Sequence, residues 1–129
     1  MEKQDYNLTN SEWNVMECLW EASPRTGRET IEAMKESLGW NRSTTLTMLR
    51  RLEEKGAIYS KTADELKMFY PAISREQAAI QETDSFLDKV YQGSLSMMLS
   101  TFTRKQNLSK QEIDELYQIL NELEEKTND

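Results

Sequence analysis

Capping-box motifs at four places constrain the fold of this chain more strongly than any other sequence feature. In this motif a Ser or Thr and the Glu or Gln three residues later each bond the other's backbone N–H, so a helix begins just after the first residue. The four pairs are Thr9 with Glu12, Thr26 with Glu29, Ser74 with Gln77, and Ser109 with Glu112. The sequence therefore predicts a mainly α-helical chain.

Apolar residues at helical spacing predict three short helices in the first part of the chain. Helix 1 should run to about Ala22, and helix 2 should end at Gly39, because glycine favours the left-handed conformation that ends helices. Helix 3 should begin with Asn41 or Ser43 as its cap and end before Gly56. The apolar stripes consist of Trp13, Met16, Leu19 and Trp20 in helix 1 and of Ile31, Met34 and Leu38, which should be buried, in helix 2.

Helix 3 has two different faces. At 100° per residue, four positions fall within about 60° of one line and should face the core: Thr45, Met48, Leu49 and Leu52. Ser43, Thr47 and Arg50 point the opposite way, with Thr44 and Arg51 on one flank. Short hydroxyl side chains permit close approach to a major groove, and arginines reach guanine edges or phosphates. The alternative is an ordinary amphipathic helix with a solvated charged face.

A two-stranded hairpin should follow helix 3. Residues 57–62 and 66–70 favour strands, residues 63–65 a turn, and Pro71 closes the second strand. Three short helices with such a hairpin, or wing, form a winged helix-turn-helix, which we place in residues 1–72. Lys61 and Lys67 flank the hairpin tip, where they could meet the phosphate backbone. Alternatively, they only keep an edge strand solvated.

The second part of the chain, residues 73–129, should be a helical dimerisation domain. Its apolar residues repeat at helical spacing, and in the last helix the spacings of 3, 4 and 3 fit a coiled-coil-like partner. Two such helices cannot bury their apolar faces alone, so they pack either onto residues 1–72 or against a second copy. The predicted dimerisation residues are Phe86, Val90, Leu95, Leu99, Ile113, Leu116, Leu120 and Leu123.

Composition excludes several classes of function. The chain has no His and a single Cys, so neither a zinc or copper site of the usual kind nor a nucleophile–base set can be drawn; we expect no metal, no cofactor and no enzyme activity. It has no apolar run that could span a membrane and no signal peptide, so we expect a cytoplasmic protein without a membrane partner. The formal net charge of −7 argues against nucleic acid, but residues 41–61 carry a local net charge of +3, which can act despite distant acidity because salt screens charges over about 8–10 Å.

Several segments together resemble the penicillinase and methicillin-resistance repressors, the BlaI/MecI branch of a family that also contains the copper-responsive CopY repressors. The segments are LTNSEWNVMECLW, Gly39-Trp40, TTLTMLRRLEEKGAI, MFYPAIS, DKVYQGSLSMMLSTF and LSKQEIDELYQILNEL, and they span nearly the whole chain. The copper branch ends in a cysteine-rich tail, whereas this chain ends EEKTND. Copper sensing is therefore not expected.

The resemblance implies a homodimeric bacterial transcriptional repressor whose winged helix binds palindromic operator DNA. Matched residue by residue, its DNA contacts fall on Ser43, Thr44, Thr47 and Arg51, with the wing near Lys61 and Lys67; helical geometry adds Arg50. Leu46 is a departure, because some relatives carry a basic side chain there. A leucine could instead touch a thymine methyl, which would change the operator sequence.

The resemblance also implies a route of release. In the β-lactam branch, derepression follows proteolysis of an Asn–Phe bond in the dimerisation region, which would make a sensor-linked protease a partner. The matching bond here joins Thr101 to Phe102, so the phenylalanine matches and the asparagine does not. The operator, the regulated genes and the inducing signal do not follow from the sequence. The competing hypothesis is a winged-helix module that serves protein–protein assembly without sequence-specific DNA binding.

Overall fold

The computed structural model describes residues 5–128. Within them lie six helices and three short strands. The helices are α1 (Asn10–Glu21), α2 (Gly27–Leu38), α3 (Arg42–Lys55), α4 (Arg75–Tyr91), α5 (Leu95–Thr103) and α6 (Lys110–Thr127), and the strands are β1 (Arg25–Thr26), β2 (Ile58–Ala63) and β3 (Leu66–Pro71).

Two compact units divide the chain within α4. The first unit extends to Asp84 and the second begins at Ser85. The first turn of α4 contributes Ala78 to the core of the first unit, together with the preceding Ile73. The sequence predicts the boundary between the DNA-binding domain and the dimerisation domain earlier, after residue 72. The assignment of DNA binding and dimerisation to these two domains stays a prediction.

The first unit is a winged helix-turn-helix, as the sequence predicts. Helices α1, α2 and α3 pack around one core with an antiparallel sheet whose strand order is β1-β3-β2. The largest side chains that are fully buried in this core belong to Met16, Leu19, Leu52 and Ile58. Trp20 closes one side, since its Nε1 donates a hydrogen bond to the carbonyl oxygen of Ile73 at 2.9 Å.

Local capping explains where the helices begin. The capping boxes at Thr9, Thr26 and Ser109 are complete, with the backbone bond and its reciprocal both present. The backbone N–H of Gln77 donates to Ser74 Oγ at 3.1 Å. For α3 the structure decides between the two candidate caps: Asn41 Oδ1 accepts from the backbone N–H of Thr44 at 2.9 Å.

One prediction about α2 was wrong, and its start holds a strand that the sequence did not predict. Leu38 is 48% exposed rather than buried, because it is the last residue of α2 and lies beside the left-handed Gly39 that ends the helix. Besides capping α2, Thr26 forms strand β1 together with Arg25, and the two residues pair with Met68 and Phe69 of β3. Two residues are too few to give a strand pattern in the sequence.

The wing is a tight hairpin of β2 and β3. Ala63 pairs with Leu66, so the turn has two residues, Asp64 and Glu65, rather than the predicted three. Both have positive φ, 51° and 67°, as a type I′ turn requires. This turn matches the right-handed twist of the strands and fixes their register, which decides the face on which each wing side chain lies.

The second unit leaves its apolar side chains uncovered in the single chain. Neither α5 nor α6 has a buried residue. The predicted dimerisation residues are all exposed or half-buried: Phe86, Val90, Leu95, Leu99, Ile113, Leu116, Leu120 and Leu123.

Candidate nucleic-acid interface

The buried side of α3 is the one that the sequence predicts. Four residues face the core, each with no more than 9% of its surface exposed: Thr45, Met48, Leu49 and Leu52. Consequently Ser43, Arg50 and Arg51 are exposed, while Thr44 and Thr47 are half-buried. The hydroxyl groups lie on the first two turns and the two arginines on the third.

An ion pair between a half-buried lysine and a buried carboxylate fixes the carboxyl end of α3 to the beginning of α1. Lys55 Nζ lies 2.5 Å from Glu12 Oε1, and the Glu12 side chain is 1% exposed whereas that of Lys55 is 31% exposed. Lys55 Nζ also donates to the carbonyl oxygen of Asn7 at 2.9 Å. Glu12 Oε1 accepts in addition from the backbone N–H of Thr9 at 2.8 Å. One carboxylate thus caps α1 and positions the last turn of α3.

The environment of Glu12 keeps its carboxyl group ionised. Burial raises the pKa of this group, but hydrogen bonds from Lys55 and from Thr9 lower it more, so that the pKa lies below its ordinary value. Since Lys55 is committed to this pair, it is not part of an outward basic surface, although it counts toward the local charge in the sequence.

Glu53 links α3 to the wing. Its Oε2 accepts a hydrogen bond from Ser60 Oγ at 2.7 Å, and Lys67 Nζ lies 3.5 Å from its Oε1. Lys67 Nζ also lies 5.3 Å from the centre of the Phe69 ring. This side of the hairpin therefore faces α3 and carries one of the two wing lysines, which already has an acidic partner.

The other wing lysine lies on the opposite face of the hairpin. Lys61 is paired with Met68 in the register, whereas Lys67 is paired with Thr62, and neighbouring pairs point to opposite faces. Lys61 Nζ lies 5.8 Å from the ring centre of Tyr59 and 5.6 Å from that of Tyr70. The two rings are stacked, 5.2 Å apart and 7° from parallel. The two lysines that flank the hairpin tip therefore lie on opposite faces of the wing.

The outward face of α3 and the exposed flanks beside it carry cations that are available to a ligand. Within residues 5–128, Arg42, Arg50 and Arg51 form no ion pair. Glu54 is exposed and lies on the same outward face, one turn after Arg50 and Arg51. Its carboxylate would repel phosphate, so contact with nucleic acid would be confined to the turns before it.

The predicted cleavage site lies in the second unit. Thr101 and Phe102 belong to the last turn of α5, and both are exposed. The Thr101 hydroxyl donates to the carbonyl oxygen of Met97 at 2.9 Å. The bond that matches the cleaved bond of the β-lactam branch is therefore accessible and helical.

In the part of the chain that the structure covers, residues 5–128, no helix is long and apolar enough to cross a membrane. Nor do three or more His, Cys, Asp or Glu side chains of these residues come together in a group that could hold a metal ion.

Comparison with known proteins identifies the family. The family model described as Penicillinase repressor matches residues 8–122. The chain belongs to the penicillinase repressor family. The match spans both units, so it includes the uncovered helices of the second unit as well as the winged helix.

Two relatives in this family are similar over most of their length. The penicillinase repressor of Bacillus licheniformis is 33% identical over 115 residues, which cover 89% of this chain and 90% of that protein. The methicillin resistance regulatory protein MecI of Staphylococcus aureus (strain N315) is 29% identical over 121 residues, which cover 94% of this chain and 98% of that protein.

Two solved structures share the winged helix of this penicillinase repressor family member. The DNA-binding domain of the repressor BlaI is 28% identical with a TM-score of 0.51, covering 58% of this chain and 90% of that one. The Bacillus licheniformis BlaI monomer in complex with the blaP half-operator is 28% identical with a TM-score of 0.52, covering 59% and 92%. These similarities confirm the fold class that the sequence predicts.

Sequence reasoning missed the two carboxylates that position the interface. Glu12 was recognised only as a capping residue, although it also binds Lys55, 43 residues later. Glu53 was treated only as a local charge, although it binds Ser60 and Lys67 of the wing. No local pattern reports either pair, because each joins elements that the fold brings together.

Proposed function

We propose that this protein is a bacterial transcriptional repressor that binds operator DNA through α3 and the wing. The observation that carries the proposal is the exposed face of α3, where hydroxyl groups precede two arginines that have no acidic partner in residues 5–128. The relative BlaI was solved in complex with the blaP half-operator, and family membership supports the same class of ligand for this chain.

Each predicted DNA-binding residue has a role that fits its chemistry. Arg50 and Arg51 supply contacts to guanine edges or phosphates, since guanidinium groups bind both in bidentate geometry. The hydroxyl groups at the start of α3 contact the DNA backbone and bases at close range. The lysines of the wing hold flanking phosphates, one from each face of the hairpin. The hydroxyl groups belong to Ser43, Thr44 and Thr47, and the wing lysines are Lys61 and Lys67.

The uncovered apolar helices of the second unit support a homodimer. Contiguous apolar surface of this kind usually marks an association site, and coiled-coil-like spacing in α6 fits a second copy. Two copies related by a two-fold axis would present two α3 helices to a palindromic operator. Repression would then be steric, with the operator overlapping a promoter, in the cytoplasm of a bacterial cell.

We further propose that proteolysis in the second unit ends repression. A sensor-linked protease that cut between Thr101 and Phe102 would separate α6 from the rest of the chain. The dimer would lose the apolar seam of α6, and operator affinity would fall because each half-site would be bound alone.

The salt dependence of duplex binding tests the DNA-binding function against the alternative of a protein–protein assembly module. Neutralising Z phosphates makes the logarithm of affinity fall with the logarithm of salt concentration with a slope of roughly −0.9Z. The four predicted cationic residues of each copy would together contribute a slope of about −7 in a dimer, one phosphate for each residue. Fluorescence anisotropy on duplexes recovered by genomic DNA pull-down would measure it. An absence of duplex binding at low salt would favour the assembly module.

A further inference from the structure

Leu46 is an apolar residue of α3 that the core does not use. It is 40% exposed, and it lies about 100° around the helix from Thr45, between the buried side and the outward face. Its exposed surface is therefore available to a ligand.

Two guanidinium groups flank this leucine along the helix surface. Arg42 and Arg50 lie four residues before and after Leu46, so the three side chains are neighbours in one row. Both arginines are exposed. Cβ atoms four residues apart are about 5–6 Å apart, so the row of about 11 Å spans roughly three base-pair steps of 3.4 Å. The row combines two anchors for phosphates or guanines with an apolar group between them.

We propose that Leu46 is a specificity-determining residue that packs against the C5-methyl group of thymine in the major groove of the operator. The inference rests on the proposed DNA-binding function. A leucine cannot hydrogen-bond to a base edge, and the apolar group that base pairs present in the major groove is the thymine methyl. Its place in the first half of α3 suits base contact, because the N-terminal residues of a recognition helix contact base edges.

Selective removal of thymine methyl groups tests this inference. Duplexes that bind the wild-type full-length protein are first selected from a random-sequence library. Thymidine is then replaced by deoxyuridine, one position at a time, which removes the methyl group and leaves base pairing intact. At one thymine or more in each half-site, the replacement should weaken wild-type binding about fourfold, the effect of burying one methyl group.

The Leu46→Ala variant should lose this sensitivity. It should bind the thymidine duplex about as weakly as wild type binds a duplex in which the responding thymidine is replaced in both half-sites, and the replacement should then have no further effect on the variant. Leu46→Met keeps an apolar side chain of similar volume and should retain most of the sensitivity. Leu38→Ala removes an exposed leucine from α2 and should leave the sensitivity unchanged. Unchanged tryptophan fluorescence would show that each variant is folded.

The outcomes separate this inference from the function on which it rests. If wild type selects a duplex sequence but no thymine position responds to loss of its methyl group, or Leu46→Ala responds as wild type does, the role of Leu46 is wrong and DNA binding stands. If wild type selects no duplex, both are wrong.

Discussion

Arg51 is exposed, and it forms no ion pair with a carboxylate of residues 5–128. We expect Arg51→Ala to weaken operator binding by about 1–3 kcal/mol, because a guanidinium that contacts a base edge or phosphate leaves that group unpaired when it is removed. Anisotropy titration of wild type and variant at equal salt concentration measures the difference.

Arg104→Ala is a matched control for Arg51→Ala, since it removes the same charge from an exposed position in the second unit. It should leave operator affinity within about 0.5 kcal/mol of wild type. Equal affinity of Arg51→Ala and wild type would mean that α3 does not read the operator with this face.

Glu12 is expected to stabilise the first unit in a pH-dependent way. Glu12→Gln removes the charge that binds Lys55 and should lower the free energy of unfolding by about 1–3 kcal/mol at pH 7. Because the folded pKa of Glu12 lies below its ordinary value, this stability is fully present above the ordinary carboxyl pKa and is lost as pH falls through the lowered folded value. The difference between wild type and variant should therefore shrink in acid.

Urea unfolding followed by tryptophan fluorescence measures this difference, since all three tryptophans, Trp13, Trp20 and Trp40, belong to the first unit. Glu17→Gln is the control, because Glu17 forms an exposed ion pair with Arg75 and exposed pairs contribute little. A Glu12→Gln effect that stayed constant from pH 7 into acid would contradict an ionised Glu12 in the folded state.

At the level of elements, the ion pair of Glu53 with Lys67 connects α3 to the wing. Substitution of either residue should therefore change the affinity for operator DNA. Lys67→Ala should weaken operator binding and make the salt slope of the dimer shallower by about two, one for each copy. Glu53→Gln should have the opposite effect on affinity, because it removes the carboxylate that competes with phosphate for Lys67. Anisotropy over a range of salt concentrations measures both changes.

Lys105→Ala provides the control for the wing, since it removes an exposed lysine between α5 and α6. Lys61 lies on the other face of the hairpin. The changes in binding free energy caused by Lys61→Ala and by Lys67→Ala should therefore be additive. A Glu53→Gln variant with wild-type affinity, beside a weakened Lys67→Ala, would show that the ion pair does not compete with DNA.

The sequence predicts the elements of this fold better than their mutual contacts. Helix starts at Thr9 and Ser109 follow from capping within four residues, and the buried side of α3 follows from its apolar period. The short strand at Arg25 and the ion pair of Glu12 with Lys55 depend on partners that lie 42 to 44 residues away in the sequence. Such contacts leave no local pattern, so only the structure locates them.

At the level of the whole molecule, the uncovered seam of α6 predicts a protein that functions as a pair. Leu120→Asp should give monomers with much weaker operator binding, because a charge would be buried without a partner at the centre of the seam. Leu116→Asp should act in the same way. Light scattering at micromolar concentration measures the mass, and anisotropy measures the affinity.

Gln118→Asp is the matched control, as it adds the same charge at an exposed polar position of α6 between the two leucines. It should remain dimeric. A wild-type protein that scattered light as a monomer at this concentration would contradict the dimer, while leaving the winged helix as a reader of single half-sites.

The rate of the proposed cleavage between Thr101 and Phe102 would depend on the stability of α5, because this bond lies inside the helix. Hydroxyl groups of Thr101 and Thr103 both bond carbonyl oxygens one turn earlier, so a protease would reach an extended backbone here only after this turn unwinds. When opening is fast relative to cleavage, the rate of cutting follows the equilibrium population of the open form. The helix–coil equilibrium of the nine residues of α5 would then determine the delay between signal and gene expression. Substitutions in α5 would change that delay without changing DNA binding or dimerisation.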